Sequence, residues 1–289
     1  EDNFLENGGT FIFPFPEFEL YSKKQRCLIT GIDGQIGNYL INTLKIEYNL
    51  YGITKKYNTT HKNVLKLENN MKNKDELENI IVMIKPNKII HLASVTGIEE
   101  CEDNISDSLY INGIVTGYLC EIIYKNDLKC VLFNASSSEI YKGHKEYFVK
   151  EDDPFFNPTT LYGISKVLGH QLINHYRNKY HLPFSNGIIF TTESSLRKSS
   201  FLLKKVSNHA KEWNKTNEVL YLGSLESYRN IIHAYDVAQA IKLIINQSSG
   251  NNYIISNLDF NKVDHIVLSL YKYYNIELHK KDNIYYDIL

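Results

Sequence analysis

The sequence is poor in the residues that build disulfide scaffolds, metal clusters and rigid turns. Its 289 residues include four cysteines, two methionines, one tryptophan and six prolines. No two cysteines stand as C-x-x-C, and Cys27 and Cys130 lie in apolar runs, where a thiol acts as a small hydrophobe. A disulfide framework does not fit this length and spacing, no metal site is expected, and a reducing compartment, the cytoplasm, is. Neither sign of charge is in excess: 32 Lys and Arg face 33 Asp and Glu. The overall field therefore attracts neither nucleic acid nor an anionic membrane. No apolar run approaches the ~20 residues of a spanning helix. The opening EDNFLENGGTFIFPFPEFEL is acidic and broken by prolines, without a basic n-region or a continuous apolar h-region. It reads as an arm over residues 1–22 rather than a leader.

What is present is a globular composition, 43% hydrophobic and 22% charged. The length allows one large domain or two interlocked ones. From residue 25 to 190, short apolar runs alternate with helical periodicity. QRCLITG, NLYGIT, NVLKL, KIIHLAS, KCVLFNAS and FSNGIIF read as strands. NYLINTLKIEY, KDELENIIVMIKPN, SLYINGIVTGYLCEIIYKND and TLYGISKVLGHQLINHYRNKY read as helices. Such alternation builds βαβ units with right-handed crossovers. The expected fold is α/β, a doubly wound parallel sheet of the Rossmann kind with a small C-terminal cap. The dinucleotide-binding domain is expected over 23–189, rejoined by about 230–257. Residues 190–229 and 258–289 are expected to form a smaller substrate-binding region.

TGIDGQIG sets Gly31, Gly34 and Gly37 between the first strand and the first helix. A tight turn and a close approach to a pyrophosphate need residues without Cβ, and the helix N-terminus faces the anion. Gln35 and Ile36 belong to the same loop, and Leu92 and Ala93 follow the fourth strand. A turn without a ligand is the plainer alternative. The second strand ends in Thr54, Lys55 and Lys56 rather than in an acid. Two cations suit a 2′-phosphate, so NADP is expected over NAD. Two solvated loop lysines are the alternative.

LYGISK places Tyr162 and Lys166 at i and i+4, on one helix face. A nearby ammonium lowers a phenol's pKa, and a phenol so tuned can take a hydroxyl proton while hydride leaves the same carbon. The pair follows the serine-rich stretch ASSSEIY, which contains Ser137 and Glu139.

Taken in order, the glycine motif, ASSSEIY, PFFNPTTLYGISK, NGIIFTTES and LGSLESYRNIIHAYDVAQA resemble the extended short-chain dehydrogenases/reductases. Within them they look most like the GDP-mannose 4,6-dehydratases, over roughly residues 25 to 250. The resemblance implies an NADP-dependent lyase of nucleotide-sugar metabolism. It would convert GDP-mannose to GDP-4-keto-6-deoxymannose by C4 oxidation, water loss across C5 and C6, and hydride return to C6. Ser137 would bind the sugar's 4-hydroxyl, Tyr162 would accept its proton, and Lys166 would hold the nicotinamide ribose. Glu139 would take the C5 proton, made acidic by the neighbouring ketone. Ser94, Thr191, Glu193, Ser194, Arg197, Lys204 and Arg229 would bind the nucleotide sugar. Arg229 is the best placed to grip its diphosphate.

Several positions depart from the family pattern. FNHES becomes FTTES, with Thr191 and Thr192 for Asn and His, and PRR becomes SLR, keeping Arg197. The family's adenine-facing Asp falls at Lys66 or Glu68. KKYNTTHKNV lacks the Arg-rich loop that supports a tetramer, so a homodimer through the Tyr162 helix and the helix around Ile114 is expected. The chain stops near 289, where the family continues with a segment completing the nucleotide pocket. Two rival readings stand: a nucleotide-sugar 4-reductase or epimerase, and a protein that holds NADP and a sugar nucleotide without turnover.

Overall fold

A computed structural model describes residues 23–54, 64–68, 70–143, 148–153, 158–213, 215, 219–278 and 284–286, with only the backbone of Leu65, Lys66 and Glu68 and of 284–286. The arm expected over 1–22, and Lys55 and Lys56, lie outside them.

The first strand explains the layering. Along β1 (Gln25–Thr30) successive side chains point to opposite faces. Cys27 and Ile29 enter one buried cluster, and Leu28 enters another. The next elements are α1 (Gln35–Leu44), β2 (Tyr48–Thr54), β3 (Val64–Glu68), α2 (Lys74–Ile84) and β4 (Lys88–His91). There follow α3 (Ile98–Asp103), α4 (Ile105–Leu109), α5 (Val115–Lys125), β5 (Val131–Ser137), α6 (Leu161–Tyr180) and β6 (Phe184–Ile189). The second half holds β7 (Thr191–Glu193), α7 (Leu202–Glu212), β8 (Leu220–Leu222), β9 (Tyr228–Arg229), β10 (Ile231–His233) and α8 (Ala234–Ile245). It ends with β11 (Asn252–Ile255), β12 (Asn261–Lys262), α9 (Val263–Tyr273) and β13 (Ile284–Tyr286).

Seven strands form one sheet in the order β11-β6-β5-β4-β1-β2-β3, every neighbour parallel. This is the doubly wound Rossmann-type sheet expected from the alternation. One face is covered by α1 and α8 through Leu40, Leu44, Val237 and Ile241. The other is covered by α2 and α5 through Leu77, Ile81, Val115 and Leu119. Each such fully buried aliphatic side chain contributes about 1.5–3 kcal/mol of transfer free energy. A third, smaller cluster lies outside the sheet, where Val206 and Ala210 of α7 meet Val263, Val267 and Tyr271 of α9. All four cysteines are free and buried. Among the described residues no helix is long and apolar enough to cross a membrane, and no group of His, Cys, Asp or Glu could hold a metal ion.

Two expected boundaries are corrected. The first helix ends at Leu44, and Tyr48 starts β2 with its hydroxyl donating to Asn246. The helix expected over SLYINGIVTGYLCEIIYKND is interrupted: between α4 and α5 the residues Tyr110–Ile114 form a π turn. Within it Asn112, 2% exposed, is held by four polar groups, on Ser94, Val95 and Ser165.

Helix α6 is started by Thr160, whose Oγ1 accepts from the Gly163 amide at 3.1 Å. That cap sets the first turn, where Tyr162 sits. Thr160→Ala is expected to lower stability by about 1 kcal/mol in urea unfolding, with α6 fraying first by hydrogen exchange at its N-terminal amides.

Candidate active site

The strand order reverses between β1 and β4, and the segments that leave those two strands diverge to opposite faces. A crevice opens there at the carboxyl edge. Gly31 leaves β1 with φ +68°, and a Cβ on it would lie 2.7 Å from the Ala93 nitrogen. A Cβ on Gly37 would lie 2.3 Å from the Ile32 carbonyl oxygen, so this glycine lets α1 sit tightly on its own loop. The crevice holds a cavity of about 450 Å³ between the glycine turn, the ends of β2 and β4, and the segment 196–201. Gly31, Gly34, Gln35, Ile36, Gly37, Thr54, Leu92 and Ala93, all expected at a cofactor, line it. A concave, Cβ-free cradle at a helix N-terminus fits the pyrophosphate of a dinucleotide. Lys55 and Lys56 and the side chains of Lys66 and Glu68 lie outside the described residues.

Ser94, expected at the substrate, also lines the cavity, and its Oγ donates to Asn112 Oδ1 at 2.9 Å. Asn112 was not singled out by sequence; a lone Asn within a helical run carries no signal. Its Oδ1 also accepts from the Val95 amide at 2.8 Å. Its Nδ2 donates to the Val95 carbonyl at 3.0 Å and to Ser165 Oγ at 2.9 Å. It thereby ties the loop after β4 to α6, one residue before Lys166.

Ser137 closes β5, and its Oγ accepts from the Glu139 amide at 3.2 Å, which starts a short 3₁₀ turn over Ser138–Tyr141. Glu139 Oε2 is buried and has no hydrogen-bond partner, with the Lys142 ammonium 3.5 Å away. Tyr162 lies next to both: Ser137 hydrogen-bonds its hydroxyl, and the Glu139 charge acts on it. The structure thus brings Ser137, Glu139, Tyr162 and Lys166 together at the end of β5.

The electrostatics differ from the sequence expectation. Burial pushes the Tyr162 phenol up to about 12, against the opposing pull of the Ser137 hydrogen bond; Glu139 and Cys101 push it further up, and Arg197 draws it down. Lys166 was expected to be the group that lowers it. Its Nζ stands 5.7 Å from the Tyr162 ring centre and donates instead to the Ala135 carbonyl at 3.0 Å. Burial also lowers the Lys166 pKa, to about 8.

Of the residues expected at the substrate, Thr191 and Glu193 sit on β7, which pairs with β10 and so lies beside the segment carrying Arg229. Arg229 itself is exposed on β9, its Nη1 donating to the Tyr228 carbonyl at 3.1 Å. Glu193 faces Arg197 at 3.8 Å; burial raises its pKa and Arg197 opposes that. Arg197 lines the same cavity as the glycine turn, stacked 3.5 Å from the Phe201 ring centre, with its Nε buried and lacking a hydrogen bond. Its position therefore belongs to the crevice as much as to the sugar side. Ser194 Oγ donates to Gln35 Oε1 at 2.9 Å, and Gln35 Nε2 donates to the Thr192 carbonyl at 2.9 Å. Gln35 thus latches the glycine loop to the strand expected to hold substrate. Lys204 is spent on the Ser195 carbonyl at 3.0 Å.

The lowered Lys166 pKa has a linkage consequence. With a folded value near 8 against an ordinary 10.5, the unfolded chain binds more protons in that window. The associated stability is present above 10.5 and lost as pH falls through about 8. Urea unfolding of Lys166→Met, compared with the parent, is expected to lose that rise between pH 8 and 10, a difference of up to roughly 3 kcal/mol.

A family model described as GDP-mannose 4,6 dehydratase matches residues 28–285. The GDP-mannose 4,6 dehydratase of Drosophila melanogaster is 29% identical over 277 residues, 89% of this chain and 70% of that protein. The Homo sapiens enzyme of the same name is 29% identical over 271 residues, 86% of this chain and 72% of that protein. Among solved structures, dTDP-glucose 4,6-dehydratase from Bacillus anthracis superposes with a TM-score of 0.78 at 20% identity, covering 91% of this chain and 84% of that one. UDP-glucose 4-epimerase from Thermotoga maritima gives 0.80 at 17% identity, covering 91% and 89%. The solved structures establish the fold, and the family match, spanning most of the sequence, makes this chain a member of the GDP-mannose 4,6 dehydratase family, hydro-lyases built on the short-chain dehydrogenase/reductase fold.

Proposed function

We propose that this nucleotide-sugar 4,6-dehydratase acts on GDP-mannose, with NADP as its dinucleotide, and yields GDP-4-keto-6-deoxymannose. The observation that carries the reading is Glu139: a carboxylate with a buried oxygen that lacks a hydrogen bond, on the turn between Ser137 and the tyrosine helix. A simple reductase or an epimerase has no need of a base there. NADP is supported by Lys55 and Lys56 following β2. When bound, the nicotinamide supplies a hydride acceptor and donor, so the reaction is redox-neutral overall.

The chain's own residues divide the remaining work. Ser137 and Tyr162 flank the sugar's 4-hydroxyl, and Tyr162 takes its proton as the alcohol becomes a ketone. Tyr162 is a neutral phenol at rest, and Ser137 and Arg197 are the groups here that favour its ionisation. Lys166, anchored on the Ala135 carbonyl, would hold the nicotinamide ribose. The new ketone acidifies C5–H, and Glu139 removes that proton and passes it to the C6 hydroxyl, which leaves as water. Arg229 would grip the diphosphate, a role supported by its exposure and its place next to the β7–β10 pair. The four buried free thiols suit a reducing compartment such as the cytoplasm.

We further propose a homodimer through α6 and the helix after Ile114. Ile114, Ile164 and Leu168 remain exposed on that face at 36%, 47% and 38%. Ile164→Lys is expected to convert a dimer into a monomer in sedimentation velocity; a parent that already sediments as a monomer would count against it.

Incubation with GDP-, UDP- and dTDP-sugars, read by mass, is expected to show loss of water from GDP-mannose without net consumption of dinucleotide. Glu139→Gln is expected to slow that loss by about 100-fold or more while dinucleotide affinity stays unchanged. Undiminished turnover in Glu139→Gln would remove the carboxylate from the mechanism, and stoichiometric consumption of NADPH would favour the reductase.

A further inference from the structure

One side chain in the crevice has no part in the reading so far. Asp33 stands in the glycine turn, just before Gly34, and lines the cavity together with Thr54, the last residue of β2. Its Oδ2 accepts from Thr54 Oγ1 at 2.5 Å. Its main chain is fastened from the other side, where Asn38 Nδ2 donates to the Asp33 carbonyl at 3.1 Å and to the Gly34 carbonyl at 2.9 Å. The carboxylate is therefore carried across the mouth of the turn to the carboxyl end of β2.

In a sheet of this kind the adenosine ribose lies at the end of the second strand, and an acid there accepts hydrogen bonds from its hydroxyls. That acid ordinarily comes from the strand itself. Here the strand ends in Thr54, and the acid reaches the same place from a loop 21 residues earlier. A carboxylate accepts well from a 2′-hydroxyl. It repels a 2′-phosphate, which presents acceptor oxygens and negative charge but no free hydroxyl. The cations expected to favour the phosphate, Lys55 and Lys56, follow Thr54 in the sequence and lie outside the described residues.

We infer that Asp33, oriented by Thr54, is the residue that reads the adenosine ribose as a hydroxyl acceptor, and that the cleft consequently takes NAD as well as NADP. The inference rests on reading the crevice as a dinucleotide site. It makes Asp33 a determinant of cofactor choice that works against the lysines and makes the chain permissive where lysines alone would make it selective.

The test is binding, not turnover. NAD⁺ and NADP⁺ are titrated calorimetrically into the wild-type chain, Asp33→Asn and Asp33→Ser. Asp33→Asn keeps an acceptor for Thr54 and removes the charge, so a loss of fold in Asp33→Ser cannot mask the result. The wild type is expected to bind both dinucleotides. Both variants are expected to raise the preference for NADP⁺ over NAD⁺ by about tenfold or more. A wild type that binds NADP⁺ but not NAD⁺, or a preference that both variants leave unchanged, would overturn the role of Asp33. Binding of neither dinucleotide would overturn the reading of the crevice itself, and this inference with it.

Discussion

The candidate dinucleotide cradle depends on the gap between β1 and β4. From those neighbouring strands the chain departs to opposite faces, into α1 on one side and toward α5 on the other. No packed element can fill the space they vacate at the carboxyl edge. The main chain must still cross closely there, and a Cβ on Gly31, at φ +68°, would lie 2.7 Å from the Ala93 nitrogen. The absence of a side chain at that point keeps the crevice open.

The second constraint is the obligation to satisfy buried polar groups. Asn112 lies among apolar residues of the helix layer, yet both ends of its amide are engaged with Val95, Ser94 and Ser165. Asn112 stands at the middle of the π turn over Tyr110–Ile114. Through Ser165 the network reaches the residue before Lys166, and Lys166 is fixed by the Ala135 carbonyl on β5. Loop, helix and strand are thus held in one polar frame around Tyr162. Gln35 extends the frame by joining the glycine loop to Thr192 and Ser194.

Much of the fold was legible in the chain because its main elements are long enough to show a period. The six strands expected between 25 and 190 and most of the intervening helices correspond to β1–β6, α1, α2, α5 and α6. The short elements were not legible. β7, β9, β10, β12 and β13 have two or three residues each, too few for an alternation to appear. The glycine turn and the Tyr162–Lys166 pair could be named from spacing because each is a local pattern, whereas Ser137 and Glu139 were named from the resemblance of ASSSEIY to the family. Asp33, Gln35's latch and Asn112 could not, since their partners lie 21, up to 159 and up to 53 residues away. The expected tuning of Tyr162 by Lys166 failed for a related reason: i,i+4 spacing puts two groups on one face but says nothing of burial, which here outweighs the opposing influences on Tyr162.

The sequence by itself determined the layer architecture, through strand and helix periods. It also brought forward the candidate reactive groups, through local motifs and their resemblance to a family. The tertiary structure alone decided how those groups are charged and what they face. It lowered Lys166 and raised Tyr162 by burial, left one Glu139 oxygen without a hydrogen bond but facing the Lys142 ammonium, and carried Asp33 to the end of β2. The physical reason is that desolvation and long-range hydrogen bonding depend on the three-dimensional neighbours of a group, and neighbours brought together by crossovers leave no trace in local spacing.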